Sequence, residues 1–380
     1  MSIIDSIGGR FLSAIKNTCI LLTWLAGIIL IISAYCGYFD PKDSSKLAII
    51  GMIFPIALAI NIAILLLWII ARKISMIILG IIFLGACFNQ INAFSPFNMP
   101  NSDVTSPDGT FKLLTYNVMN FNDNDLSKDS LENRTLRYIL DKDADIVLLQ
   151  EGSAKIKMDK NEKIKSLMPE LKKKYPYRER RLKDLVILSK HPYQIDNENI
   201  TSERPLTSTA YRLEIDGKTL YIINVHLESL HFNESDKALY RSTTDFSKIT
   251  DNLSEKTVKD VKNTLLSKLS VSFKKRATQA EDIKKYINNL NRYINGENVI
   301  ICGDFNDTPS SYSYLTIKGD DMKDAYEECA LGPTITFHAS RFYFRIDHVL
   351  YKGNFEAIDI ERGDQKSSDH YPLLTTFKWK

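Results

Sequence analysis

Five apolar runs in this chain end on a side chain able to do acid–base or metal chemistry. A sixth run is preceded by two. Asn117 closes "LLTYN", Glu151 follows "IVLLQ", His226 closes "YIINVH", Asp304 and Asn306 end "IICGDFN", Asp347 follows "YFRI", and Asp369-His370 stand before "YPLLTTF". One such ending alone is a solvated strand end or a turn cap. Six are a pattern, because strand ends at one edge of a sheet lie side by side, where α/β folds place ligands. The set comprises four carboxylates, two amides and two imidazoles.

Carboxylate and amide oxygens suit a hard cation such as Mg²⁺. No cysteine pair accompanies the histidines, which disfavours a zinc–thiolate site. A divalent cation beside His and Asp is equipped for phosphoester hydrolysis: charge on the phosphoryl oxygens is neutralised, a carboxylate orients or deprotonates water, and imidazoles stabilise the transition state. Asp304 and Asn306 are two apart, so an extended chain points both to one side.

The elements that must position these groups can be read from periodicity. Strands are predicted at "FKLLTYN", "ADIVLLQE", "DLVILSKHPY", from Tyr211 through "NVHLES", and at "NVIICGDFN", "TITFHA", "YFRIDHVLY" and "YPLLTTFKW". Asp216-Gly217 reads as a hairpin turn. "LENRTLRYILDKD" reads as a helix capped from Asp129-Ser130, with Leu136, Ile139 and Leu140 on one face. From about 234 to 294 the chain is polar and helical. Strands interleaved with helices predict an α/β sandwich.

Taken in order, "TYNV", "LLQE", "VILSKHPY", "NVHLES", "GDFND", "RIDHVL" and "SDHYP" resemble the endonuclease/exonuclease/phosphatase family. The resemblance covers about residues 110–380. It implies a DNase I-like, four-layer sandwich of two mixed β-sheets flanked by helices, with Mg²⁺ or Mn²⁺ at the site. By motif, Glu151 is expected to be the principal metal ligand, with Asn117 in the metal and phosphate site and Asp369 near the metal and water. His226 is expected to stabilise the phosphate or serve the leaving group. Asp304 is expected to position the attacking water, and Asn306 to hold the phosphate. His370 is expected to contact the scissile phosphate, its ring held by Asp347 and charged near neutral pH.

There are departures. Relatives place Gly before the "AILS"-type strand, where this chain reads "KDLVILS". An acidic partner for His226 is expected between Glu151 and Asp184, with Glu179 a candidate. A helical insert, about 230–274, lies outside the minimal fold. Arg276 and Gln279, one turn apart, fit a structural role as well as substrate contact.

The first hundred residues have another character. Asn17–Phe39, Leu47–Ala71 and Ile74–Ser102 contain no charged residue, and each is long enough to cross a bilayer. Three transmembrane helices are therefore expected. Arg10 and Lys16 precede the first span, and Arg72-Lys73 separate the second from the third. This predicts an inside N-terminus and an extracytoplasmic catalytic domain. With no ionisable group inside them, the spans read as an anchor that meets membrane lipid, not a transport path. The organisation expected is an anchor over 1–95, a linker over 96–110 and a catalytic domain over 111–380.

Residues 1–100 hold six Lys/Arg and three Asp/Glu, and the rest holds 43 of each. A neutral catalytic part argues against gripping long nucleic acid by bulk charge. A local groove remains open to Arg178, Arg180 and Arg181 in "YRERRLK". The five cysteines suggest no disulfide framework. The expected activity is a membrane-anchored, metal-dependent phosphoesterase, nuclease-like first. The alternatives are a lipid or inositol-phosphate hydrolase and a non-catalytic membrane-bound interaction module. The expected partner is a phosphate-ester substrate, nucleic acid or phospholipid, and no protein partner is called for.

Overall fold

The computed structural model describes residues 3–98, 109–123, 132–152, 162–178, 184–197, 200–201, 207–230, 255–293, 298–339 and 343–380.

The N-terminal part is helical. α1 (Ile3–Tyr35) leads through a short 3₁₀ turn to α2 (Pro41–Gly51). α2 bends by 43° into α3 (Phe54–Ile70), and α4 (Ile74–Ala86) turns by 67° into α5 (Phe88–Phe94). One helix, Ser13–Tyr38, is long and apolar enough to cross a membrane; there are up to three if each bent pair forms one span. The second uncharged stretch is thus interrupted at Met52-Ile53. Pro55, in the first turn of α3, has no N–H to continue the ladder of α2. Arg72, with φ 53°, makes the tight turn between α3 and α4.

Two six-stranded mixed sheets follow. The first has the order β11 (Phe355–Arg362), β12 (Leu373–Trp379), β1 (Thr110–Asn117), β2 (Ile146–Gln150), β4 (Val186–Ser189), β3 (Tyr177–Arg178). The second has the order β5 (Tyr193–Asn197), β6 (Ser208–Ile215), β7 (Lys218–His226), β8 (Asn298–Asp304), β10 (Asp347–Lys352), β9 (Lys323–Asp324). Each sheet has one parallel pair at its centre, β1 with β2 and β7 with β8. Asp216 and Gly217, both at positive φ, close the β6–β7 hairpin as their spacing predicts.

Strand alternation sorts the side chains into layers. Leu113, Ile146, Leu148, Ile222, Ile300, Cys302 and Phe377 fill the space between the sheets. Leu114, Tyr116, Val147 and Leu149 face outward beneath α6 (Arg134–Lys142), α7 (Glu162–Lys165) and α8 (Met168–Lys174). Tyr221, Ile223, Val299 and Ile301 are covered by α9 (Glu255–Tyr293) and α10 (Tyr312–Lys318). A short α11 (Ala325–Cys329) lies beside β10 and β11. The result is the expected four-layer sandwich.

Three local readings change. The strand expected at "TITFHA" is reduced to isolated bridges of Phe337 with Phe344 and His370. α6 begins at Arg134, capped by Asn133, whose Oδ1 accepts from the Leu136 amide at 2.9 Å; the expected cap at Asp129-Ser130 lies outside the described residues. The helical insert is no separate element over its second half. Residues 255–274 are the first turns of α9, which runs unbroken for 39 residues. Residues 231–254 lie outside those described.

Candidate active site

Register explains why the strand-end groups meet. In the parallel pairs Asn117 stands opposite Gln150, and His226 opposite Asp304. β10 is antiparallel to β8 and places Asp347 opposite Asp304. β12 is antiparallel to β1, so the residues just before it, Asp369 and His370, arrive at the Asn117 end. The two sheets are tied near this edge by buried amides: Gln150 Nε2 donates to Asn224 Oδ1 at 2.7 Å, and Asn224 Nδ2 to the Leu149 carbonyl at 3.1 Å.

Asp304 lies at the centre. Its Oδ2 is 3.0 Å from Asn117 Nδ2, 3.5 Å from His370 Nε2 and 3.8 Å from His226 Nε2. Its Oδ1 accepts from the Asn306 amide at 2.8 Å. Asn117 also reaches Glu151 Oε1 at 3.2 Å, and Asn120 reaches Glu151 Oε2 at 3.3 Å. The Asn117 side-chain oxygen Oδ1 is taken by the Met119 amide, so its Nδ2 faces the two carboxylates. Glu151 and Asn306 both sit at φ 52°, and Met119, Asn120 and Phe121 are consecutive left-handed residues. Such strain persists only where surrounding contacts over-determine it, and it clusters at functional sites.

Each imidazole has a carboxylate behind it. His370 Nδ1 donates to Asp347 Oδ2 at 2.8 Å, and His226 Nδ1 to Asp184 Oδ2 at 2.7 Å. Burial works against charge on both rings. For His370 it is outweighed by Asp347 and Asp304, and the pKa rises to about 10. For His226 it is outweighed by the hydrogen bond to Asp184 and the charges of Asp304 and Glu151, and the pKa rises to about 9. Burial raises the Glu151 and Asp304 carboxyls. Ser368 anchors the Asp369-His370 turn by donating to the Asn117 carbonyl at 2.7 Å, and Phe337 packs on the His370 ring.

The site residues expected from sequence fall into four groups. Glu151, His226, Asp304, Asn306, Asp369 and His370 line one cavity of about 250 Å³. Asn117 and Asp347 hold groups that line it. Arg178 does not line it: its guanidinium donates to the Tyr175 carbonyl at 3.3 Å, at the sheet-edge strand β3. Arg180 and Arg181, like Glu179, lie outside the described residues. Asp184 is the acidic partner of His226 among the described residues. Asp184 stands at the end of the window expected from sequence, which offered Glu179 as the candidate. Asn120, at the left-handed turn after Asn117, left no signal. Arg276 is structural: it is buried, its Nε donating to Asp307 Oδ2 at 3.1 Å and its Nη1 to the Glu228 carbonyl at 3.0 Å.

Hard oxygen donors and buried carboxylates whose pKa values burial raises fit a divalent cation, which would relieve their mutual repulsion. Asp304, Asp347 and His370 also form a cluster with ligand atoms within 4.8 Å of one another. Asp347 and His370 are occupied with each other there, and Asp304 with Asn117 and Asn306, which leaves Glu151 and Asp369 as the oxygen set for a cation.

The chain belongs to the endonuclease/exonuclease/phosphatase family, whose model matches residues 114–370. Residues 16–94 match a domain of unknown function, DUF8431. Among solved structures, the chain is similar to truncated Caenorhabditis elegans TDP2 at 15% identity, over 71% of this chain and 97% of that one, with a TM-score of 0.45. It is similar to an endonuclease/exonuclease/phosphatase from Bacteroides vulgatus at 18% identity, over 71% and 99%, with a TM-score of 0.43. The human Nocturnin catalytic domain with bound sulfate matches at 14% identity, over 73% and 96%, with a TM-score of 0.45. No curated protein sequence matches the chain. Members of the family are phosphoester hydrolases that use divalent metals, and this chain is a phosphoester hydrolase of that family.

Proposed function

We propose that the protein is a membrane-anchored phosphoesterase, dependent on Mg²⁺ or Mn²⁺, that hydrolyses phosphodiester or phosphomonoester bonds on the extracytoplasmic side. The carrying observation is the meeting of Asp304 with two carboxylate-backed imidazoles and Asn117 at one edge of both sheets. The membrane part rests on the apolar helices and on the basic residues that flank them.

Glu151 and Asp369 would hold the cation, which when bound would neutralise phosphoryl charge and lower the barrier to attack by water. The chain's own groups then divide the work. Asp304, whose carboxyl is raised by burial, accepts the proton of the attacking water. As the water oxygen bonds to phosphorus, the bond from phosphorus to the leaving oxygen breaks. His226, charged at neutral pH, gives that oxygen its proton. His370 and Asn306 hold the non-bridging oxygens. Asp347 and Asp184 fix the two rings and keep them protonated.

A nuclease-like activity calls for a basic groove. Among the described residues the cavity has one cationic side chain beyond its imidazoles, Arg276, and that is paired with Asp307. The test is hydrolysis of bis(p-nitrophenyl) phosphate by the purified full chain with Mg²⁺ or Mn²⁺. Activity should vanish with EDTA and drop about 100-fold or more in Asp304→Asn and His370→Ala. Equal rates in wild type and both variants would end this reading.

A further inference from the structure

The catalytic cavity is not built by the sandwich alone. Met52, at the elbow between α2 and α3, lines it together with Leu230, Phe273, Phe337, Phe344 and Ile346. The cavity thus has a charged half, where Asp304 and its partners sit, and an apolar half that ends on the N-terminal helices.

The elbow is held against the catalytic part at several points. Lys42 Nζ meets Glu281 at 2.6 Å, Ser270 Oγ meets Ser45 Oγ at 2.6 Å, and buried Arg345 donates to the Ala93 carbonyl at 2.7 Å. A side chain at Gly37 would put its Cβ 2.0 Å from the Ser310 carbonyl oxygen, so the two backbones touch there.

From Met52 the apolar surface continues along α3. Beyond the bend at Met52-Ile53, Ile56 and Ile60 lie one turn apart on α3, and both are exposed. Around the same junction Tyr38, Phe39, Phe97 and Leu331 are exposed, the last two paired by an isolated bridge. Tyr38, just beyond the long apolar helix, is of the residue type that gathers at a membrane–water interface.

Resting on the membrane reading above, we infer that the substrate is a phosphoester lipid drawn from the bilayer that holds the anchor, its phosphate among Asp304, His226 and His370 and its hydrocarbon along the Met52 wall. The α3 face is then an entry ramp, and the anchor supplies part of the substrate site as well as tethering the enzyme. The reaction stays the hydrolysis already given: water oxygen to phosphorus, phosphorus–oxygen bond to the leaving alcohol broken, proton delivered to that alcohol.

The test compares two substrates in one preparation. The full chain is reconstituted with Mn²⁺ into phosphatidylcholine vesicles containing phosphatidylglycerol or phosphatidic acid. Lipid products are followed by mass spectrometry beside the release of nitrophenol from bis(p-nitrophenyl) phosphate. Lipid turnover is expected, and Met52→Lys should lower the ratio of lipid to aryl-ester turnover about tenfold or more. Met52→Leu should hold that ratio within about twofold. Aryl-ester hydrolysis with no lipid turnover, or a ratio unmoved by Met52→Lys, would overturn the lipid assignment and leave the phosphoesterase standing. Plasmid DNA cleaved in preference to every lipid would overturn it likewise. Inertness towards both substrates would remove both readings.

Discussion

His226 owes its charge to Asp184. Removing that carboxylate removes the main support for the protonated ring, so its pKa must fall from about 9. In Asp184→Asn the alkaline limb of the pH–rate profile should move to lower pH, and kcat should fall about 10- to 100-fold. An unshifted limb would show that Asp184 only packs. Asp184 was hard to read in advance for a physical reason. Its partner lies on a strand of the other sheet, and the contact spans 42 positions that no local periodicity links. Asp347 behind His370 was readable because both sit in short motifs next to strands. His348, beside it, has a different part. It is buried, its Nε2 donates to the Asp307 carbonyl at 2.9 Å, and burial lowers its pKa to about 3. Its folded pKa is depressed below the unfolded value, so the folded ring stays neutral while the unfolded ring takes a proton below about pH 6.5. The stability it supports is present above that pH and is lost on the way down towards 3, at roughly 1.4 kcal/mol per pH unit. Thermal melts of His348→Phe between pH 7 and 4 should show a flatter acid decline than wild type.

At the scale of elements, the strands were the legible part. Their apolar runs are short, bounded by polar residues, and rich in branched side chains, and β1, β2, β7 and β8 lie where those runs are. Bends and continuity were less legible. Nothing in the polar composition of 255–293 says whether the helix breaks at 274, because packing on the second sheet from Ala280 onward decides it. β8 shows how sharply an element can constrain the site. Gly303 has φ 137°, and a Cβ there would lie 2.0 Å from the Val225 carbonyl oxygen of β7. Gly303→Ala must therefore part β8 from β7 next to Asp304. A loss of roughly 3 kcal/mol in the stability of the full chain is expected, with activity falling further than stability explains. An alanine variant with wild-type melting temperature and turnover would contradict the tight approach.

Across the whole molecule, the N-terminal helices and the sandwich share buried contacts. Arg345, fully enclosed, donates to both Asp324 at 2.8 Å and the Ala93 carbonyl. Pro96 and Asn98 bond to the backbone at Gly332 and Ala330. A fragment starting near residue 105 loses these partners and uncovers Phe273 and Phe344. It should melt lower than the full chain in the same detergent and aggregate more readily. Identical melting curves would mean that the two parts are energetically independent. These tertiary contacts had no counterpart in sequence, where Met52 is one more apolar residue in an uncharged stretch.

The place of β12 has a consequence for how the protein is made. β12 lies between β11 and β1, and the turn that enters it carries Asp369 and His370. During synthesis β1 emerges early and waits with one edge unpaired until nearly all the other strands have left the ribosome. Until then Asp304 lacks His370, one of its two imidazole neighbours, and the first sheet lacks the strand that joins β11 to β1. A ribosome-bound chain halted before β12 is therefore expected to be hydrolytically silent, its site completed only when the last strand is in place.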